Sequence, residues 1–374
     1  MGYVFSTLIN SVPSQCYEVQ FGKNIDLQTE LRAPRLPAEW AMQSGIQLTW
    51  PHADTDWAYM LDEVTACFCQ IAREIACRQP LLIVTPEPET VRQQLEGIVP
   101  SGQVRYVECP TNDTWARDHG AITLLDTDGP KLLDFTFNGW GLKFASDKDN
   151  LITRRLVEAG ALHGRYTNRL GFVLEGGSIE SDGEGTLLTT SECLLSPNRN
   201  GELNQVEIEE YLRSTFHVER VLWLDHGYLA GDDTDSHIDT LARFCSTRTI
   251  AYVQCTDSQD EHYEALHQME AQLRTFRTAD GEPYRLLPLP MPAPIVVDGE
   301  RLPATYANFL IMNKAVLYPT YAQPDNDLRA KQVLQEAFPD REIVGIDCRA
   351  LIKQHGSLHC VTMQYPAGVI SIKQ

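Results

Sequence analysis

The run His355-Gly-Ser-Leu-His-Cys360 leads into the alternating segment Val-Thr-Met-Gln-Tyr365. A Gly-Ser turn ahead of a strand presents a thiol beside a loop, where nucleophiles are commonly held. The same residues suit a buried structural cysteine, because free thiols pack as small hydrophobes. Gly231-Asp-Asp-Thr-Asp-Ser-His-Ile-Asp239 gathers four aspartates and one histidine. Read as the lead-in to a strand from Thr240 to Cys245, it turns His237 and Asp239 to one face, a base and an anion sharing a pocket. A solvated acidic loop competes with that reading. A calcium loop does not, since the glycine and distant glutamate of an EF-hand are out of place. Thr111-Asn-Asp-Thr-Trp-Ala-Arg-Asp-His-Gly120 sets Trp115 and Asp118 before another strand. An indole face and a carboxylate suit a delocalised cation, and they equally suit a capped turn around a core tryptophan. Leu174-Glu-Gly-Gly177 places Glu175 before two glycines that permit close backbone approach. Thr189-Thr-Ser-Glu-Cys193 adds Glu192 at a strand end.

Apolar and β-branched runs predict the strands that would carry these groups: Leu81 to Thr85, Val104 to Val107, Lys131 to Phe137, Gly171 to Leu174 and Gly185 to Thr190. Val221 to Leu224, Thr249 to Gln254, Ala315 to Pro319 and Glu342 to Ile346 continue the series. Helices fall between them. Trp57, Met60, Leu61, Val64, Phe68, Ile71 and Ile75 recur at steps of three and four, as do Leu266, Met269, Leu273 and Phe276. Asp149 to His163 and Glu202 to Phe216 repeat the period more weakly. The proline-rich stretch from Pro283 to Pro303 reads as a surface loop. Short strand groups followed by a helix recur about five times, without internal sequence similarity. The chain is of α/β or α+β class with no obvious linker, and reads as a single domain.

With 43% hydrophobic and 22% charged residues, the 374-residue chain has ordinary globular composition and ample material for a core. A formal charge of −20 argues against nucleic acid as a partner and would draw a cationic substrate, although acidity also serves solubility. No apolar stretch reaches membrane-spanning length. The first residues lack a basic secretory n-region, and the ten cysteines are scattered without a C-x-x-C pair. The expectation is a cytoplasmic protein with reduced thiols and no membrane partner.

Taken in order, these segments resemble the agmatine deiminase and bacterial, Porphyromonas-type peptidylarginine deiminase family. The likeness spans nearly the whole chain. It begins at Leu36-Pro-Ala-Glu-Trp40 and Leu48-Thr-Trp-Pro51. It continues through Asn112-Asp-Thr-Trp-Ala-Arg-Asp118, Phe137-Asn-Gly-Trp-Gly141, Leu174-Glu-Gly-Gly-Ser178 and Asp182-Gly-Glu-Gly-Thr-Leu-Leu-Thr-Thr190. Asn198-Arg-Asn200, Ser236-His-Ile-Asp239, Tyr306-Ala-Asn-Phe309 and His359-Cys-Val-Thr362 complete it. The resemblance implies an α/β pentein, a five-fold pseudosymmetric propeller of strand-strand-helix-strand modules. It covers residues 31–374 as one catalytic domain, with residues 1–30 as an N-terminal extension of uncertain role.

The family's nucleophile falls on Cys360, its general acid/base on His237 and its guanidinium-binding aspartates on Asp118 and Asp239. A further acid of the superfamily aligns best with Glu192, with Glu175 as the alternative. Trp115, Asp233 and Glu175 complete the expected substrate contacts. Two segments depart from the family: Gln354-His-Gly-Ser-Leu358 replaces a Gly-Gly-Gly-Asn-Ile run, and Asp233-Thr-Asp-Ser236 replaces an acidic-Thr-Asn-Gly run. Both flank the expected site and bear on the substrate rather than the chemistry.

The implied reaction is hydrolysis of a guanidinium through a covalent thiouronium, with no metal or organic cofactor. The implied substrate is a small cationic guanidino compound. Agmatine is favoured by the acids at Asp232, Asp233 and Asp235, which would repel an α-carboxylate. That would place the protein in putrescine formation. Arginine or peptidylarginine is the alternative substrate, a non-catalytic binding pentein the alternative outside enzymes, and a homodimer one quaternary arrangement open to it.

Overall fold

The computed structural model describes residues 34–372; the proposed extension at residues 1–30 lies outside them. One unit recurs five times: two antiparallel strands, a helix, and a third strand parallel to the second. It runs Ile122–Asp126, Gly129–Thr136, helix Ile152–Glu158, Arg165–Val173. It recurs at Ile179–Ser181, Thr186–Thr190, helix Gln205–Phe216, Arg220–Leu224. The next copy is Ala242–Ser246, Thr249–Gln254, helix Tyr263–Leu273, Arg285–Pro290. A further copy is Leu310–Ile311, Ala315–Thr320, helix Pro324–Ala337, Glu342–Asp347.

The remaining unit is split across the chain. Gln43–Thr49, helix Leu61–Ala76 and Leu81–Thr85 take their antiparallel strand from Thr362–Pro366, with Leu48 opposite Thr362, and add Val104–Glu108 at the far edge. The strand that follows Cys360 thus closes the ring. This is the pentein arrangement.

Local sequence explains each element. The helix Leu61–Ala76 buries Val64, Phe68, Ile71 and Ile75 along one stripe and carries Asp62 and Glu63 in its first turn, where the helix dipole favours acids. All five residues of Leu81–Thr85 are buried, as expected of a strand covered on both faces. Helix Gln205–Phe216 opens with a capping box between Asn204 and Glu207.

Two expectations are corrected. The segment from Pro283 to Pro303 is not all loop: Arg285–Pro290 pairs in parallel with Thr249–Gln254. That strand lies at the sheet edge, where Pro288 and Pro290 remove no interior hydrogen bond. The strand expected from Thr240 begins at Ala242, and His237 and Asp239 instead flank the start of a tight 3-10 turn, Ile238–Thr240.

The connections into the first strand of each unit hold the residues that meet at the centre. Asp118 precedes Ile122, Gly177 precedes Ile179, Asp239 precedes Ala242, Asn308 precedes Leu310, and Cys360 precedes Thr362. Five equivalent entries from five units therefore supply one centre. No helix among the described residues is long and apolar enough to cross a membrane.

Candidate active site

Asp118 sits in the one-turn helix Ala116–His119. Its Oδ2 accepts from Trp140 Nε1 at 3.0 Å, and its Oδ1 accepts from the Gly177 backbone N–H at 2.9 Å. His237 Nδ1 lies 3.7 Å from Asp118 Oδ1. Asp239 Oδ2 is 2.7 Å from His359 Nδ1. Asn308 Oδ1 accepts from the backbone N–H groups of His359 at 2.8 Å and Cys360 at 3.3 Å, and the Cys360 thiol points at the same oxygen from 3.4 Å.

Gly177 shows how tightly these groups converge. A Cβ at that position would lie 2.7 Å from His237 Nδ1, 2.9 Å from Asp118 Oδ1 and 3.1 Å from Asp239 Oδ2. Only glycine leaves room there. The second glycine of Glu175-Gly-Gly177 is therefore the floor on which the imidazole and the two carboxyl groups meet.

The cluster is buried and short of positive charge. Burial, then the neighbouring charge of Asp239, pushes the Asp118 carboxyl up to about 8. Burial pulls His237 down to about 3, so its imidazole is neutral. Burial also acts to raise Asp239, but its hydrogen bond from His359 wins and holds it below the usual carboxylate range. Burial and the charges of Asp239 and Asp118 push the Cys360 thiol well up. Both nitrogens of His237 and Oδ1 of Asp239 meet no hydrogen-bond partner within the protein. Such an arrangement favours a cation that carries several N–H donors.

A narrow cavity leads from the surface to this cluster, with Cys360, Asp118, Trp115, Trp140, Asp233 and His355 on its wall. Trp115 and Trp140 meet edge to face, with centroids 6.0 Å apart. Gly356 packs so closely on Trp115 that a Cβ would fall 2.0 Å from the indole.

Over residues 35–366 the sequence matches the Porphyromonas-type peptidyl-arginine deiminase family. The chain belongs to that family. The agmatine deiminase of Stutzerimonas stutzeri is 33% identical over 356 residues, covering 89% of this chain and 95% of its own. A crystal structure of a Porphyromonas gingivalis protein named provisionally as an arginine deiminase is 56% identical, with a TM-score of 0.86, over 90% of this chain and 100% of its own. Agmatine deiminase of C. jejuni, solved as a cysteine-to-serine variant with substrate bound, is 38% identical with a TM-score of 0.83, over 89% and 96% of the two chains.

Asp118, His237 and Asp239 converge on Gly177, Asp118 and Cys360 share one cavity, and Trp115 and Asp233 line the approach to them. Glu192 does not join them. It is exposed in the first turn of a short helix and accepts only from the Ser236 hydroxyl, at 3.1 Å. The inward acid is Glu175, fully buried, yet both its oxygens accept from Arg199 Nε at 2.9 and 3.0 Å. Arg199 also holds Asp235 Oδ2 at 2.6 Å and the Thr234 carbonyl at 2.8 Å. Glu175 therefore braces the loop that carries His237, through Arg199, and is not free to meet a substrate.

Among the described residues, two buried trios bring potential metal ligands within 4.8 Å of one another: Glu175, Cys193 and His237, and Glu39, Glu180 and His359. Each already has a guanidinium on its acids, Arg199 in one and Arg243 in the other, which opposes a further cation.

Asn308, Trp140, Arg199 and His359 lie inside the motifs above, but nothing in the sequence distinguishes them from residues that only shape the fold. The available clue was position, since Asn308 and His359 each stand just before the first strand of a unit. The departing segment Asp233-Thr-Asp-Ser236 has a backbone consequence. Asp235 and Ser236 have φ of 62° and 60°, the left-handed region where asparagine and glycine rest more easily. The ion pairs of Asp235 with Arg199 and Lys143 hold it there.

Proposed function

We propose that the protein is an agmatine deiminase that converts agmatine and water to N-carbamoylputrescine and ammonia. The observation that carries this reading is the cavity wall: Asp56, Asp113, Asp118 and Asp233 line it, and it contains no lysine or arginine among the described residues. An arginine substrate would bring its α-carboxylate into that acidic passage without a cationic partner. The amine end of agmatine meets no such opposition. Asp233, with its side chain 37% exposed and 3.9 Å from His355 Nδ1, is the acid best placed to receive it.

The guanidinium enters between Asp118 and Asp239, whose carboxylates fix its N–H fork. Its charge supplies what the cluster lacks, so Asp118 ionises and the Cys360 proton passes to His237. The Cys360 thiolate bonds to the central carbon and gives a neutral tetrahedral adduct. His237 returns its proton to one amino group, ammonia departs, and a cationic thiouronium remains on Cys360. His237 then takes a proton from water as the oxygen bonds to the same carbon. The C–S bond breaks with its electrons on sulfur, His237 returns its proton to the Cys360 thiolate, the hydroxyl proton leaves with ammonia as ammonium, and the ureido product departs. The Glu39, Arg243 and His359 side chains act behind this step by keeping Asp239 charged.

The 56% identity to the Porphyromonas gingivalis protein favours a second reading, deimination of arginine. Ammonia release from agmatine, arginine and an arginyl peptide separates the two. The proposal expects agmatine to be favoured over arginine by roughly a thousandfold in kcat/KM, and Asp233→Asn to erase most of that preference. Equal turnover of arginine by the wild type would refute the substrate while leaving the chemistry in place.

A further inference from the structure

Eleven buried side-chain nitrogen and oxygen atoms among the described residues lack a partner within the protein, and they are not evenly spread. Three belong to the catalytic cluster, His237 Nδ1 and Nε2 and Asp239 Oδ1. Four others are Arg117 Nε, Arg117 Nη2, Thr123 Oγ1 and Gln364 Oε1. All three of those residues line a second cavity, of about 70 Å³, whose wall does not include Cys360, Asp118 or Asp233.

Arg117 is 4% exposed. Its Nη1 lies 3.7 Å from the Met363 sulfur, a weak acceptor. Nε and Nη2 form the side-on fork of the guanidinium, two parallel donors spaced for the two oxygens of a carboxylate. A buried guanidinium whose donors meet no acceptor is costly, and burial lowers its pKa. The two acids on the cavity wall ease that cost through space but accept no hydrogen bond from it. Glu39 is taken by Arg243, His359 and the Ile311 N–H, and Glu180 by Arg243 and the Phe244 N–H.

We propose that this cavity is a second ligand site, which takes a small carboxylate bearing a hydroxyl or amino group. The carboxylate oxygens accept from Arg117 Nε and Nη2, Thr123 supplies a hydroxyl beside them, and Gln364 Oε1 accepts from the ligand's own O–H or N–H. The site lies directly behind the catalytic centre. Arg117 adjoins Asp118 in sequence, and its backbone N–H donates to the Cys360 carbonyl at 3.1 Å.

The test is calorimetric titration of the full-length protein with glycolate, glycine and acetate, before and after alkylation of Cys360 by iodoacetamide. Glycolate or glycine binds saturably at millimolar concentration, acetate binds more weakly, and alkylation leaves all three unchanged. Thr123→Val and Gln364→Met each weaken the binding, by about tenfold, while kcat is retained. Neither residue touches the catalytic cluster, so loss of fold is not expected, and circular dichroism checks it. Absence of saturable binding assigns the cavity to water and overturns the proposal. So does binding that both variants leave intact, or binding that alkylation of Cys360 abolishes.

Discussion

Glu39, Arg243, Glu180 and His359 lie beside Asp118, His237, Asp239 and Cys360, and a 2.7 Å hydrogen bond from His359 to Asp239 joins the two groups. Both groups are buried, and both are rich in acids. In the first, every carboxylate oxygen is answered. Arg243 reaches Glu39 at 2.6 Å and also Glu180, donates to the Phe309 carbonyl at 2.6 Å and lies 4.7 Å above the Phe309 ring. Burial acts to raise Glu39, but the charges of His359 and Arg243 outweigh it and leave the acid well below its usual range. In the second, no cation is present, one carboxyl rises to about 8 and three polar atoms find no partner. The first group is complete within the protein and acts as a support. The second is completed only by a donor-rich cation, and that incompleteness is what makes it a site.

The comparison can be broken most severely at Cys360, the proposed nucleophile. Cys360→Ala should lower ammonia release by about 10⁴-fold or more while the melting temperature stays near that of the wild type. A variant with appreciable turnover would show that the thiol has no covalent part. The supporting cluster should respond in the opposite way. Arg243→Met leaves Glu39 and Glu180 buried without their partner, and should cost about 3–5 kcal/mol of stability by urea unfolding. An unchanged unfolding midpoint would mean that the first cluster is no better matched than the second.

Gly177→Ala is a finer probe of convergence. The added methyl falls within 3.1 Å of His237, Asp118 and Asp239, so turnover should drop about a hundredfold with only a modest loss of stability. Turnover within a few-fold of wild type would show that the three groups need not meet over that glycine.

Much of this contrast is legible in the sequence, for identifiable reasons. The strands Leu81–Thr85 and Thr249–Gln254 are read with their observed bounds because each is an interior strand of its sheet with a nearly unbroken apolar run. Arg285–Pro290 escapes because its prolines signal loop, and only the sheet shows that they sit on an edge. Helix Pro324–Ala337 escapes because it buries little beyond Ala330 and Leu334, too thin a stripe to register as a period. Within the site, Cys360, His237, Asp239 and Asp118 stand out by residue type and motif. The choice between Glu175 and Glu192 cannot be made from motifs. It depends on which of two neighbouring turns faces inward, and on Arg199, twenty-four residues beyond Glu175, arriving to neutralise it. The unmatched donors of Arg117 are hidden for the same reason. Whether a guanidinium finds an acid is a property of packing between segments far apart in the chain.

The smallest effect separates the two clusters by their protons. Asp118 has a folded pKa of about 8, above the ~4 of an unfolded carboxyl, so the folded state holds a proton that the unfolded state has released between those values. Its contribution therefore turns against the fold as pH rises from about 4 toward 8. Asp118→Asn should be more stable than wild type at pH 8, with the gap closing toward pH 4. Binding a guanidinium runs the same linkage in reverse, because the cation requires the ionised form. With Cys360→Ala protein and agmatine, calorimetry in buffers of different ionisation enthalpy should find about one proton released below pH 8. The dissociation constant should fall about tenfold per pH unit up to that point and then level off. His237, held near 3, and Asp239, held ionised by His359, do not titrate in this window. A dissociation constant flat from pH 6 to 8 would mean that Asp118 is already ionised in the free protein, and that the centre has a positive partner of its own after all.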